Sequence, residues 1–275
     1  MKHTHEEISR RLELIESRTL SEFHQAAPTA VRKAMGLSIR DRDGVLVSRA
    51  SRGGNILVNR TVGLGISKPA TLDQVNEIRR LYGEVEVARY FVHASSVAVP
   101  QPVTALLEKA GLVRDRAWMK FARGNEPAEE TATDLTVREI GVEDAADFGR
   151  IAGTAFGLPE IAWGAVAGLV GRPGWHVFMS FDAGRPAGTG ALYVDGGVGW
   201  TEWGATDPDF RRRGSQSALL TRRVNAAVAL GCTLIGTCTG EAVAGEEQHS
   251  YRNIRRAGFE ELGLRDNYSP TGRPG

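Results

Sequence analysis

Residues 203–220, WGATDPDFRRRGSQSALL, oblige a strand to end and a helix to begin within a few residues. The run up to Thr206 reads as a strand. Pro208 cannot continue it, because proline lacks the N–H that a ladder needs. Arg211, Arg212, Arg213 and Gly214 follow, and then a helix opens. A strand that passes through a tight turn into a helix leaves the first helical N–H groups without partners. Here those groups lie near Arg213, Gly214, Ser215 and Gln216, and they point at one place. The helix dipole favours an anion there by ~0.3–1 kcal/mol. Gly214 has no Cβ, so a phosphate could come close to the backbone.

The rest of the chain divides around residues 124–134, GNEPAEETATD, a polar, acidic stretch without apolar periodicity that reads as a linker. Residues 1–123 and 135–275 read as separate domains. In the first, 6–23 has helical spacing, and 44–50 and 55–58 read as strands around Gly53-Gly54. Thr71 is suited to cap a helix that runs to about Tyr82, and 87–94 reads as a strand. A helix from about Pro102 stops at Gly111, and 118–122 closes the unit as a strand. In the second domain the predicted order is β-α-α-β-β-β-α-β-α-β. That string implies an α/β (α+β) architecture, with a mixed, mostly antiparallel sheet flanked by helices.

The segment Arg211-Arg212-Arg213-Gly214-Ser215-Gln216 resembles the hallmark of the GNAT superfamily of CoA-dependent N-acyltransferases, Arg/Gln-x-x-Gly-x-Gly/Ala. The preceding hairpin, GRPAGTGALYVDGGVGWTEWGATDPDF, is similar to the family's second to fourth strands. Arg255-Arg256-Ala257-Gly258-Phe259 looks like its helix followed by Gly-Phe and a strand. The resemblance covers about residues 133–269. It departs from the pattern at Gln216, where the family has a small residue. Gln216 is therefore expected to turn its side chain away and use only its N–H.

The resemblance implies acetyl-CoA, or another acyl-CoA, as cosubstrate. The pyrophosphate would sit on the amides of Arg211 to Ser217, with one arginine, Arg213 above all, adding side-chain contact. The pantetheine arm would pair with the backbone of Ala205 and Thr206, and Asn253 would reach it from the following helix. Residues 71–123 faintly echo the same element order, as in tandem GNAT proteins, but contain no glycine-bearing phosphate turn. The first domain is therefore expected not to bind CoA, and to cover the acceptor cleft or build an interface.

Acyl transfer needs a neutral amine, and a lysine-like amine has a pKa of about 10.4, so a base must take its proton. Glu202 is the best-placed carboxylate. Many family members supply an acid for the leaving thiolate from a tyrosine four residues before the Gly of Gly-Phe; Ile254 stands there. Tyr251 and Tyr268 are the candidate substitutes, and a thiolate of pKa about 8.5 can also leave unaided. Each candidate has a plainer reading: a surface carboxylate for Glu202, packing for both tyrosines, a solvated basic face for the arginines.

Trp163, Trp175, Trp200 and Trp203 fit core packing or an acceptor pocket. Cys232 and Cys238, six apart, would share one strand face as buried apolar side chains. His3, His5 and His24 lack companions at ligand spacing, so no metal is expected. Lys and Arg number 34 against 33 Asp and Glu, which leaves a net charge of +1 and no drive toward nucleic acid. No apolar run is long enough for a membrane span, the N-terminus has no signal-like apolar core, and two cysteines suit a reducing compartment, so a cytoplasmic location is expected. The acceptor reads as an amine on a small molecule or peptide, and a homo-oligomer is left open. The competing reading is a non-catalytic acyl-CoA sensor, which the missing tyrosine and Gln216 favour.

Overall fold

The computed structural model of the protein describes residues 4–245 and 247–270. The chain begins with α1 (His5–Ala26), capped by the Thr4 hydroxyl on the Glu7 N–H. The short α2 (Thr29–Met35) follows and ends on Gly36 in the left-handed conformation. A hairpin of β1 (Leu37–Arg42) and β2 (Val45–Ala50) then turns through Asp43 and Gly44, both at positive φ. This hairpin corrects the expected turn at Gly53-Gly54. Residues 55–58 are a local turn, not a strand: Asn55 accepts from the Leu57, Val58 and Asn59 N–H groups, which removes those donors from any ladder.

Next come β3 (Arg60–Val62), α3 (Leu72–Gly83), β4 (Phe91–Ala94), α4 (Thr104–Lys109), β5 (Val113–Arg114) and β6 (Trp118–Arg123). Thr71 closes a full capping box with Gln74 at the start of α3. Beyond residues 124–134 lie β7 (Thr136–Glu139), α5 (Ala145–Ala155), α6 (Glu160–Ala167), β8 (Trp175–Asp182), β9 (Arg185–Asp195), β10 (Val198–Thr206), α7 (Ser215–Ala229), β11 (Leu234–Gly240), α8 (His249–Arg256) and β12 (Glu260–Ser269). The sheet is mixed and mostly antiparallel. Its strands run β1-β2-β3-β4-β12-β6-β11-β10-β9-β8-β7, with β5 also paired to β12.

Two strands cross between the halves. β6 inserts between β11 and β12, so it completes the sheet of the C-terminal half and not, as expected, that of its own half. β12 pairs with β6 along its first part and with β4 along its last part. Alternation told that these strands pair but not with which edge. Burial decides it: Phe121 of β6 joins Leu192, Val224, Ile235 and Phe259 in the core beneath α7.

The central sheet is covered on both faces. On one, α1, α5 and α6 bury Leu12, Ile15, Phe148, Ile151 and Ala165 against Ala191, Val198 and Trp200. On the other, α7 and α8 bury Leu220, Val224, Ala227 and Ile254 against Leu192 and Ile235. A third core, with Val75, Ile78, Tyr82, Val92 and Leu107, belongs to the first half and takes in Tyr268. No described helix is long and apolar enough to cross a membrane.

Candidate active site

The parallel pair β10 and β11 holds together only from Val198–Leu234 to Trp200–Gly236. Past Trp200 the strands part, bridged once by the Thr237 hydroxyl on the Thr201 carbonyl at 2.9 Å. The cause is local. β10 carries a bulge between Glu202 and Ala205, and Trp203 within it has φ +54°. That is the left-handed region, sparsely used by bulky residues. The Trp203 ring stacks on Phe23 at 6.0 Å and meets Phe156 edge-on at 5.3 Å, which holds the bulge in place.

The split opens a cavity of about 550 Å³. It runs through the sheet, from α7 and α8 (Gln216, Leu220, Asn253, Ile254) on one face to Glu16, Arg60, Trp118 and Phe156 on the other, with Glu202 between them. Residues 55–57 of the first half line it as well, and Asn55 reaches across to the Phe156 carbonyl at 2.9 Å.

Glu202 shares a face with Trp200, two positions earlier, and accepts from its indole N–H at 3.1 Å. The Thr19 hydroxyl lies 3.5 Å from the same oxygen. Desolvation pushes the Glu202 carboxyl up to about 7, Glu16 adds to the rise, and Arg60 and the two indoles oppose it. A carboxyl in that range can hold or give up a proton at neutral pH.

The expected anion site is built as a turn and a helix end. Arg212 has φ +65° and Gly214 φ +79°, so the chain doubles back on itself. The first α7 bond is Ala218 N–H to the Gly214 carbonyl. The amides of Ser215, Gln216 and Ser217 therefore have no helical acceptor, and no side chain caps the helix. Gly214 is required for a reason the sequence reading did not contain. Residues 132 and 133 cross over it, and a Cβ would stand 2.8 Å from the Ala132 carbonyl. The Thr133 hydroxyl also donates to the Arg213 carbonyl at 2.7 Å.

Two expected contacts, those of Arg213 and Ala205, fall differently. The Arg213 guanidinium is held by Asp134 at 2.5 Å and Asp182 at 2.9 Å, whereas Arg211 and Arg212 project into solvent. The Asp207 N–H donates to Ala187, so ladder alternation turns the Ala205 backbone toward β9 and leaves Gly204 and Thr206 on the open edge. Gln216 folds its side chain along β10, donating to the Ala205 carbonyl at 2.6 Å and the Thr206 hydroxyl at 3.1 Å. It fits because Gly204 has no side chain: a Cβ there would lie 2.9 Å from Gln216 Oε1.

Asn253 and Ile254 line the cavity, but the two candidate acids do not. The Tyr268 hydroxyl donates to Glu108 at 2.8 Å within the first half, because the end of β12 belongs to that sheet. Tyr251 packs edge-on against Phe121 at 4.9 Å, and burial with Glu261 raises its hydroxyl to about 12. Trp200 and Trp203 line the cavity; Trp175 stands against Tyr193, and Trp163 donates to the Leu158 carbonyl. Cys238 faces the cavity, but Cys232 precedes the strand and packs under α7, so the two do not share a face. His24 bonds Ser48 and His5 the Leu262 carbonyl, while His3 lies outside the described residues.

Strand order, the split between two parallel strands and the turn before α7 can now be set beside known structures. A GCN5-related N-acetyltransferase from Kribbella flavida superposes with a TM-score of 0.64 at 16% identity, over 95% of this chain and 96% of that one. The fold is the GNAT fold, in tandem form. A tandem GNAT protein from the clavulanic acid biosynthesis pathway matches with a TM-score of 0.60 at 12% identity, covering 92% and 94% of the two chains. A GNAT-family acetyltransferase from Colwellia psychrerythraea matches with a TM-score of 0.56 at 15% identity, over 93% and 96%. No family profile and no curated protein matches the sequence. The likeness to these structures is therefore one of fold, at 12–16% identity.

Sequence reasoning missed Glu16, Arg60 and Arg223 as cavity residues. Arg223 is buried and donates to the Glu202 and Ala191 carbonyls at 3.1 and 3.4 Å. No local motif marks any of the three. They come from α1, β3 and α7 and meet only in the folded chain.

Proposed function

We propose that this protein is an N-acyltransferase that takes its acyl group from an acyl-CoA, acetyl-CoA first among them, and passes it to a primary amine. The observation that carries the reading is Glu202, desolvated at the point where β10 and β11 part and a cavity joins the two faces of the sheet. Two solved neighbours of the same fold, those from Kribbella flavida and Colwellia psychrerythraea, are described as acetyltransferases.

The residues present fit the donor. Free amides at Ser215 to Ser217 suit a pyrophosphate, and the open edge at Gly204 and Thr206 suits the amides of a pantetheine arm. The bound thioester supplies an activated acyl carbon. Glu202 receives the proton of the amine, directly or through a water, as the nitrogen bonds to the acyl carbon and the C–S bond breaks. The departing sulfur needs no dedicated acid, and it is protonated by solvent. Arg223, bonded to the Glu202 carbonyl, keeps the bulged strand aligned beneath the carboxyl.

Thiol release from acetyl-CoA, followed with DTNB over an amine panel, tests the proposal. Ile254 lines the cavity at the position where the family resemblance implies a tyrosine, and this favours a second reading, an acyl-CoA sensor. Acyl-CoA uptake seen by calorimetry, without turnover on any amine, would support the sensor. No uptake at all would sink both readings.

A further inference from the structure

Arg60 is 8% exposed and lines the cavity on the Glu202 side. Its Nη1 donates to Glu16 at 2.7 Å, its guanidinium lies 5.5 Å over the Trp118 ring, and its Nε has no partner among the described residues. Glu16 is shared. Lys120 also bonds it, and Arg265 reaches it at 2.5 Å. Glu13 joins the cluster, 3.4 Å from Lys120 and 3.2 Å from Arg265. Two carboxylates thus face three cations, Arg60, Lys120 and Arg265. Of the three cations only Arg60 borders the main cavity, so the surplus positive charge is presented there.

We propose that the acceptor is an amino-carboxylate with an apolar remainder, its carboxylate on Arg60 and its amine at Glu202. The inference rests on the acyl-transfer reading above. A buried guanidinium short of counter-charge favours an anionic ligand, and its planar fork matches a carboxylate. Glu202 offers a counter-charge when ionised but surrenders it on taking the amine proton. An acceptor carboxylate keeps Arg60 compensated throughout the step. Ile56, Leu57, Phe156 and Trp203 line the rest of this end and suit an apolar side chain. An acceptor bearing only further cationic groups would meet Arg60 unfavourably.

The test compares matched pairs, phenylalanine with phenethylamine and leucine with isopentylamine. Calorimetric binding is measured with and without saturating CoA, and acetyl transfer is read by thiol release. The amino acid should bind and react better than its amine by roughly ten- to hundredfold, the range of a charge-assisted contact. Arg60→Gln should abolish the difference while CoA uptake stays unchanged, and Arg60→Lys should keep part of it. Amines that bind as well as the amino acids, a preference that survives Arg60→Gln, or binding of neither member of any pair would overturn the proposal. Should Arg60→Gln fail to fold, the wild-type pairs and Arg60→Lys still decide it. Loss of CoA uptake by the wild type defeats the acyl-transfer reading instead, and the acceptor arm without CoA keeps the two failures distinct.

Discussion

Trp200 and Glu202 stand two residues apart on one face of β10, and the indole N–H donates to the carboxylate across 3.1 Å. This bond favours the ionised carboxyl, while the dry surroundings favour the protonated one. The balance leaves Glu202 titrating at about 7. A group in this position is half-ready as a base at neutral pH.

Glu202→Gln should therefore lower kcat by roughly 10²–10⁴-fold, with CoA affinity unchanged. In the wild type kcat/KM should climb as pH rises through about 7, because only the ionised carboxyl accepts the amine proton. Trp200→Phe removes the donor and should shift that limb upward. Steady-state pH profiles of the three proteins check both points, and an E202Q profile that keeps the limb near 7 excludes Glu202 as its source.

Gly214→Ala should disturb the turn before α7 more than an ordinary turn glycine would. It faces both φ +79° and the Ala132 carbonyl at 2.8 Å, whereas Gly184, at φ +86°, has open space around it. Gly184→Ala should cost about 1 kcal/mol and leave CoA uptake intact. Gly214→Ala should cost more and weaken uptake. Thermal unfolding paired with calorimetry separates the two variants.

Glu16→Gln should be strongly destabilising, by about 3–5 kcal/mol, because it leaves the buried Lys120 and Arg265 short of a counter-charge. The cluster joins α1, β3, β6 and β12 across the two halves. Denaturant titration should accordingly show both halves losing stability together. A loss confined to one half would mean that the cluster does not couple them.

His24 is buried against Ser48, and desolvation depresses its imidazole to about 4. The unfolded chain takes up this proton near 6.5, so stability is full above that pH and is lost as pH falls from there toward 4. His24→Asn should flatten this part of the pH–stability curve. Melting temperatures between pH 4 and 7 give the comparison, and identical slopes would show that other groups set the acid loss.

The elements themselves were largely legible in the sequence. Thr71 as a helix cap, Pro208 as a strand stop and Gly214 before a helix all act through neighbours in the chain, so local chemistry specified them. So did the strand-turn-helix that presents free amides at Ser215 to Ser217 and the placement of Glu202 two residues after Trp200. Tertiary structure alone decided the rest. The edge on which β6 pairs, the carboxylates that claim Arg213, the seat of Gln216 over Gly204 and the gathering of Glu16, Arg60 and Glu202 around one cavity all depend on residues distant in sequence. The physical reason is that spacing along a chain encodes which face a side chain takes, whereas strand pairing and buried charge are settled by whatever surface packs against that face.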